Sequence, residues 1–220
     1  MNKLKTFFVV SEYWNNISWI YDYTDNYIIY DKSNSIQNDD KVIKLEDVGY
    51  NIYDYCHFIV NNYDSLPDLT AFLEGNPFDH CKKEEFDKLI RSNSFAPIEY
   101  YGKYPANVFE QRDENGGFME INNSWYIQAH IKSFGSRVNR FFSDYNDFLD
   151  EMFDNPEHPR WIRFAPGGQY VVPKNNILYY SKDFYSKIMK FVDYCDLPSE
   201  AHIIERALYY IFTNKWRERK

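Results

Sequence analysis

The sequence lacks most of the features that mark secreted and membrane proteins. Its 220 residues include only three cysteines, which are not spaced as pairs, so neither a disulfide framework nor a C-x-x-C metal site is expected. No apolar run approaches the roughly 20 residues that a membrane helix needs, and no apolar core of roughly 7–15 residues follows the basic N-terminus as in a signal peptide. We therefore predict a cytoplasmic protein with no transmembrane segment.

Positive charge and the common catalytic motifs are also scarce. The formal net charge is −8, which argues against nucleic acid as a partner because phosphate backbones are bound by clustered Lys and Arg. The chain has no G-x-S-x-G, no Walker P-loop, no G-x-G-x-x-G and no H-E-x-x-H. The α/β-hydrolases, P-loop nucleotide hydrolases, Rossmann dehydrogenases and zinc proteases that carry these motifs are therefore not expected.

What remains is the pattern of one globular α/β domain spanning residues 1–220. The chain is 44% hydrophobic and 26% charged, as in ordinary folded proteins. Apolar runs predict strands over 5–10, 26–33 and 67–75, and helical spacing predicts a helix over 49–63. Strands that alternate with helices form parallel sheets. We therefore predict a central, mostly parallel sheet flanked by helices.

The second half of the chain gives a mixed pattern. Residues 95–140 read as a loop-rich insertion, and 160–173 resemble two strands joined at a Pro-Gly-Gly turn, as in a hairpin. Helical periodicity predicts four further helices: 82–91, 143–155, 181–195 and 198–214.

The stretch FLEGNPFDH, residues 72–80, places polar groups directly after the third predicted strand. Glu74, Asn76, Asp79 and His80 lie where ligands bind in open parallel sheets, beyond the carboxyl ends of the strands. Hard oxygen donors with an imidazole suit Mn²⁺ or Mg²⁺. The alternative is a turn at Asn76-Pro77 with Asp79 capping the next helix, and the spacing alone favours that alternative.

The last predicted helix offers a second polar group. His202, Glu205 and Tyr209 share one face of it, by their spacing of three and four. That face is either solvated or directed at a cleft as a ligand with a neighbouring acid. The apolar stripe of the helix is formed by four other residues: Ala201, Ile204, Leu208 and Ile211.

Several blocks of the chain resemble a known group of proteins. VVSEYWNNISWI (9–20), the block over 47–80 that ends in FLEGNPFDH, FAPGGQYVV (164–172) and ERALYYIF (205–212) resemble a family of largely uncharacterised proteins of fungi, bacteria and large viruses. The same pattern is similar to the N-terminal rhamnosyltransferase domain of a chlorella virus protein. The resemblance implies a GT-A-like fold, a nucleoside-diphosphate sugar donor and a divalent cation, Mn²⁺ or Mg²⁺.

The resemblance also implies roles for individual positions. Ser11, Glu12 and Tyr13 would hold the nucleotide, and Glu74, Gly75 and Asn76 occupy the place of the acidic metal motif. Asn76, Asp79, His80 and His202 are the expected metal ligands. Where family members carry Asn-Val-Gly-Arg-Glu, this chain has Asp47-Val48-Gly49-Tyr50-Asn51. The phosphate-pairing arginine is thus missing beside Gly49, and Lys32 or Lys44 would have to replace it.

These observations predict a metal-dependent glycosyltransferase that moves a hexose or deoxyhexose from a nucleotide sugar, with UDP as the first candidate, to a glycan acceptor. If the reaction inverts configuration, Glu205 or Glu200 is the expected base. If it retains configuration, the leaving phosphate itself can accept the proton. The alternative is a non-catalytic module that binds nucleotide sugars or glycans with the same fold. A two-metal phosphoesterase would need more His and Asp ligands than the sequence offers.

Overall fold

The computed structural model describes residues 3–37, 39–100, 111–113, 116–120, 140–142, 144–159 and 161–220. It contains two sheets with parallel and antiparallel strands. In chain order the strands are β1 (Phe7–Glu12), β2 (Tyr27–Asp31), β3 (Val42–Lys44), β4 (Leu69–Glu74), β5 (Ala96–Pro97), β6 (Gln111–Asp113), β7 (Gly116–Glu120), β8 (Trp161–Ile162) and β9 (Tyr170–Pro173).

The larger sheet has six strands in the order β3-β2-β1-β4-β9-β5. The first four are parallel, whereas β9 runs antiparallel to both β4 and β5. In the parallel register Ser11 lies beside Glu74, and Glu12 lies beside Asp31. The polar residues that follow the predicted strands therefore meet along one edge of the sheet, as expected. The prediction of a mostly parallel α/β sheet is confirmed.

Helices cover both faces of this sheet. They are α1 (Ile20–Tyr23), α2 (Tyr50–Asn62), α3 (Lys83–Leu89), α4 (Tyr145–Met152), α5 (Lys174–Ile177), α6 (Lys182–Val192) and α7 (Ser199–Phe212). Side chains from α2, α4, α6 and α7 form one hydrophobic cluster with the sheet, and side chains from α1 and α3 form a second one. The sheet therefore lies between two apolar layers.

Alternation along the strands divides the core between these layers. Val9 and Phe72 contribute to the first cluster, and Phe8 and Val10 contribute to the second, all with no exposed surface. A strand covered on both faces has to be apolar at successive positions. The continuous apolar run that predicted β1 has this physical cause.

The predicted hairpin over 160–173 is wrong. Its two strands are present, but β8 pairs with β7 and β9 pairs with β4 and β5. Between them lies a 3-10 turn, Pro166–Gly168, that carries the chain from one sheet to the other. The two strands and the turn between them were predicted correctly. Their pairing partners are distant in sequence, so the local pattern could not identify them.

The predicted insertion over 95–140 falls largely outside the described residues, apart from the short strands β5, β6 and β7. In the described part of the chain, no helix combines the length and apolar character needed to cross a bilayer.

Candidate functional site

The candidate site begins where β4 ends. Glu74 is the last residue of that strand, and its side chain keeps 29% of its surface exposed. A 3-10 turn over Pro77–Asp79 then reverses the chain, so that His80 returns to Glu74 with Nε2 and Oε2 3.2 Å apart. The turn predicted at Asn76-Pro77 is confirmed. The capping role for Asp79 is wrong, because α3 starts only at Lys83.

A glycine loop from the far end of the chain closes over this pair. Gly167 and Gly168 adopt φ values of +78° and +63°, a region that favours glycine. A Cβ atom at Gly167 would lie 2.6 Å from Cδ2 of His80 and 2.7 Å from Oε2 of Glu74. The loop is joined to the 77–79 turn by Gln169, whose Nε2 donates to the carbonyl of Pro77 at 3.3 Å. Only a glycine therefore permits this close approach.

Two side chains hold the peptide groups of Gly167 from the opposite side. Its N–H donates to Oε1 of Glu205 at 2.7 Å, and its carbonyl accepts from Nδ2 of Asn51 at 2.7 Å. Asn51 Nδ2 also approaches the hydroxyl of Tyr55 at 3.2 Å. Helices α2 and α7 thus both anchor the loop that covers Glu74.

The polar face of α7 is directed into this cluster and not at solvent. The side chains of His202 and Glu205 are only 12% and 14% exposed. His202 Nδ1 lies 4.0 Å from Glu205 Oε2, and Arg206 Nη1 lies 3.6 Å from the same oxygen. The His202 ring packs on Tyr50 with centroids 4.9 Å apart. The solvated-face alternative for His202 and Glu205 is therefore wrong, while the apolar stripe of α7 is buried as predicted.

The surroundings shift the pKa values of Glu74 and Glu205 in opposite directions. Burial raises the pKa of Glu74, and His80 opposes that change only in part. Burial also tends to raise the pKa of Glu205, but His202 and Arg206 outweigh it and hold that pKa below its ordinary value. For His80, burial lowers the pKa, but the carboxylates of Glu74 and Glu205 outweigh it and raise the pKa. The cluster therefore favours an ionised Glu205 beside a protonated His80.

The predicted metal ligands do not assemble into a metal centre. Asp79 Oδ1 accepts a hydrogen bond from Asn76 Nδ2 at 2.8 Å, and His80 Nε2 is directed at Glu74. His202 lies on α7 beside Tyr50 and Glu205. Among the residues that the structure describes, no three or more His, Cys, Asp or Glu side chains are arranged to hold a metal ion. This donor set therefore does not fit Mn²⁺ or Mg²⁺ as it stands.

Lys32, expected to pair with phosphate, lies inside the fold. Its Nζ donates to the carbonyls of Val48 and Tyr50 and lies 3.2 Å from Oδ1 of Asp54. The hydroxyl of Ser11, an expected nucleotide contact, donates to Oδ2 of the same carboxylate at 2.5 Å. Lys32 and Ser11 therefore tie β1, β2 and α2 together at the edge of the site.

Two further buried carboxylates, Glu12 and Asp31, are the last residues of β1 and β2. Glu12 and Asp31 have no exposed surface, and the hydroxyl of Ser33 donates to both, at 3.1 and 2.8 Å. Lys44, the other candidate for phosphate binding, forms an ion pair with Asp31. Glu12 and Lys44 therefore have structural contacts that hold the ends of β1 and β2 in place.

Of the remaining predicted site residues, Tyr13 is exposed, whereas Gly49 and Gly75 are packed inside the fold. Tyr13 is 53% exposed beyond the end of β1. Gly49, with φ +65°, precedes α2, and a Cβ atom there would lie 2.8 Å from the side chain and the carbonyl of Val192. Gly75 is buried against Asn15, with Nδ2 2.9 Å from where its Cβ would stand. The close approach of Val192 therefore favours glycine at position 49, and the close approach of Asn15 favours glycine at position 75.

Glu200, the second candidate base, has a structural environment. It has no exposed surface, and its carboxylate accepts hydrogen bonds from the backbone N–H groups of Arg140 and Phe141 and from the Tyr194 hydroxyl. These three hydrogen bonds fix the segment at residue 140 to α7. Glu205, not Glu200, is the carboxylate of α7 that faces the Glu74 cluster.

Sequence reasoning missed three members of the cluster: Asn51, Tyr55 and Gly167. The pair Gly167-Gly168 was visible as a Gly-Gly step, but a hairpin turn explained it equally well. Asn51 and Tyr55 lie one helical turn apart on α2, a spacing that marked their shared face without indicating what it meets.

Comparison with curated proteins and with solved structures yielded no significant match. A protein family described as "Protein of unknown function (DUF3431)" matches residues 8–219. The match begins in β1 and ends beyond α7, so it includes every residue of the cluster around Glu74. The chain belongs to the DUF3431 family.

Proposed function

We propose that this chain is a glycosyltransferase that moves a hexose or deoxyhexose from a nucleoside-diphosphate sugar, with UDP as the first candidate, to a glycan acceptor. The observation that carries the proposal is the convergence of Glu74, His80 and Glu205 on the Gly167 loop. This cluster lies at the carboxyl end of a parallel strand, where open α/β sheets bind their ligands. The resemblance of blocks 9–20, 47–80, 164–172 and 205–212 to GT-A-like proteins supplies the reaction class.

Glu205 has the properties of a general base. Its pKa is held below the ordinary value by His202 and Arg206, against the effect of burial, so it is ionised at neutral pH. In an inverting reaction the acceptor hydroxyl attacks the anomeric carbon while the bond to the diphosphate oxygen breaks, and the hydroxyl proton passes to Glu205. In a retaining reaction the departing phosphate takes that proton, and the charge of Glu205 stabilises the positive sugar ring.

His80 has the properties of a group that stabilises the leaving diphosphate. Its pKa is raised because the neighbouring carboxylates outweigh burial, so the protonated imidazole is favoured. An imidazolium is a donor from both ring nitrogens and suits a phosphate oxygen. Glu74 holds Nε2 and thereby orients the ring.

The test combines ligand binding with turnover. The protein is screened by thermal shift against UDP-, GDP- and dTDP-sugars, with Mn²⁺ or with EDTA, because a ligand that binds only the folded state raises its stability. The stabilising donor is then assayed for hydrolysis and transfer. Glu205→Gln keeps an oxygen for the Gly167 N–H but cannot accept a proton, so we expect an intact thermal shift and a loss of about 10²–10⁴-fold in turnover. Glu151→Gln, at an exposed ion pair on α4, is the matched control.

A chain that binds no nucleotide sugar and turns none over, with or without Mn²⁺, would contradict the proposal. Equal turnover by Glu205→Gln and wild type would remove Glu205 from the chemistry while leaving the reaction class in place.

A second candidate function is a non-catalytic module that binds nucleotide sugars or glycans. The observation that favours it is the engagement of Glu205, which accepts from Gly167 and faces Arg206, as a carboxylate that only fixes the loop would do. This candidate predicts a thermal shift with UDP or a UDP-sugar, no turnover of any donor, and the same binding by Glu205→Gln.

A further inference from the structure

Two aromatic side chains stand exposed directly after β1. Tyr13 and Trp14 are 53% and 69% exposed, the highest values among the large hydrophobic side chains of the described residues. Neither ring stacks on another aromatic ring of the described chain. Trp14 also has φ +61°, a backbone conformation that is unusual for a bulky residue.

The loop that carries these rings is fixed in place. The carboxylate of Glu12 accepts from the backbone N–H of Asn15, and Asn15 Nδ2 donates to the carbonyl of Tyr13 at 2.9 Å. Asn15 also lies against Gly75. These contacts fix the turn that carries both rings, so Tyr13 and Trp14 are exposed on an ordered segment.

This turn is a neighbour of the Glu74 cluster. Ser11 is the register partner of Glu74 in the sheet, and the side chain of Asn15 abuts Gly75, the residue after Glu74. Trp19 Nε1 also donates to the carbonyl of Gly75 at 2.7 Å, which holds Gly75 in place. The turn that carries the exposed rings therefore lies next to the segment that follows Glu74.

The chemistry of the turn suits a neutral sugar better than an anion. The segment Ser11-Glu12-Tyr13-Trp14-Asn15-Asn16 contains no Lys or Arg, and its one charged side chain, Glu12, is buried. Asn16 accepts from the N–H of Ser18. Within the described residues, no hydrogen bond uses Asn15 Oδ1 or Asn16 Nδ2, so an acceptor and a donor stand beside two flat apolar faces.

We infer that Tyr13 and Trp14 form a stacking surface for a sugar ring of the acceptor glycan, with the amides of Asn15 and Asn16 available to its hydroxyl groups. The apolar face of a pyranose lies against an aromatic ring, while its equatorial hydroxyls reach polar groups at the rim. The inference rests on the proposed function, because it names the acceptor as a neutral carbohydrate and locates its subsite.

The test measures binding of three neutral trisaccharides, maltotriose, mannotriose and chitotriose, to the full chain by saturation-transfer NMR. We expect at least one to bind, and we expect Trp14→Ala to raise its Kd about tenfold or more. Gly75→Ala keeps both rings but displaces Asn15, so we expect it to weaken binding as well. The control is Tyr179→Ala, which removes a ring that is 48% exposed after β9, at the opposite end of β4.

The outcomes separate this inference from the proposed function. Binding of no trisaccharide, or equal binding by wild type and Trp14→Ala, overturns the inference, and so does displacement of the trisaccharide by UMP from the same rings. Donor hydrolysis without trisaccharide binding leaves the transferase proposal intact and refutes the stacking surface. Trisaccharide binding through Trp14 without turnover of any donor supports the stacking surface and counts against the transferase.

Discussion

Removal of the Lys32 amine tests whether this residue supports the fold or binds a donor phosphate. Its side chain and that of Asp54 are 3% and 0% exposed, with Nζ and Oδ1 3.2 Å apart. Removing one partner of such a pair leaves a buried charge uncompensated, which costs about 3–5 kcal/mol. Lys32→Met should therefore lower the free energy of unfolding by about that amount at pH 8.

The pKa of Asp54 gives the sign of the pH dependence. Burial raises that pKa from 3.8 to about 7, against the opposing effects of Lys32 and Ser11. At about 1.4 kcal/mol for each pKa unit, keeping this group ionised in the fold costs about 4 kcal/mol. Because the folded pKa lies above the unfolded one, the stability that protonated Asp54 gives the fold is fully present below about pH 4 and is lost as the pH rises through about 7.

The assay is urea unfolding at pH 5 and pH 8. At pH 5 Asp54 is protonated in the fold, so Lys32→Met should cost less there than at pH 8. Lys187→Met is the control, because its ion pair with Glu151 is 43% and 50% exposed and such pairs contribute about 0–1 kcal/mol. If Lys32→Met unfolds like the control at both pH values but no longer binds the donor, Lys32 is a ligand-binding residue and the structural role is refuted.

Two further predictions concern the Glu74 cluster. Gly167→Ala should destabilise the fold by about 1–2 kcal/mol for its backbone conformation alone, and more because of the contact with His80; a His80→Ala/Gly167→Ala double variant that recovers nothing in urea unfolding would show that the contact is unimportant. The imidazole of His80 should titrate above 6.5 by NMR, and the stability that it contributes should be present below pH 6.5 and be lost as the pH rises through its folded value. Glu74→Gln should lower that pKa, and an unchanged titration would contradict the pairing.

Local pattern predicted the parts of the fold that local physics determines. The apolar run of β1 and the stripe Ala201, Ile204, Leu208 and Ile211 on α7 were predicted because burial on two faces or on one face leaves a distinct spacing. The N-terminus of α4, within the predicted helix over 143–155, is capped by Asp144, whose carboxylate accepts from the N–H of Asp147. The short elements β3, β5 and α5 carry too few residues to show any period.

Contacts between residues that are distant in sequence limited how much of the site could be predicted. His80 and Glu205 were singled out from residue type and position, yet their meeting point, the Gly167 loop, depends on β9 joining β4 from almost 100 residues away. Lys32 shows the reverse: the resemblance suggested it as a substitute for the missing arginine, whereas its burial with Asp54 depends on where α2 packs. Sequence alone offers no measure of that burial.

The antiparallel strand β9 also determines when the cluster can exist. It brings Gly167 beside Glu74, and Glu205 follows in α7, so the chain has to be synthesised through α7 before these groups can meet. Folds that depend on such distant contacts form slowly, because the entropy cost of closing a large loop comes before the stabilising contacts are made. A shortened chain that ends before α7 contains β1 to β4 and β9 but lacks Glu205, so a ligand that needs the complete cluster would report on a completed fold.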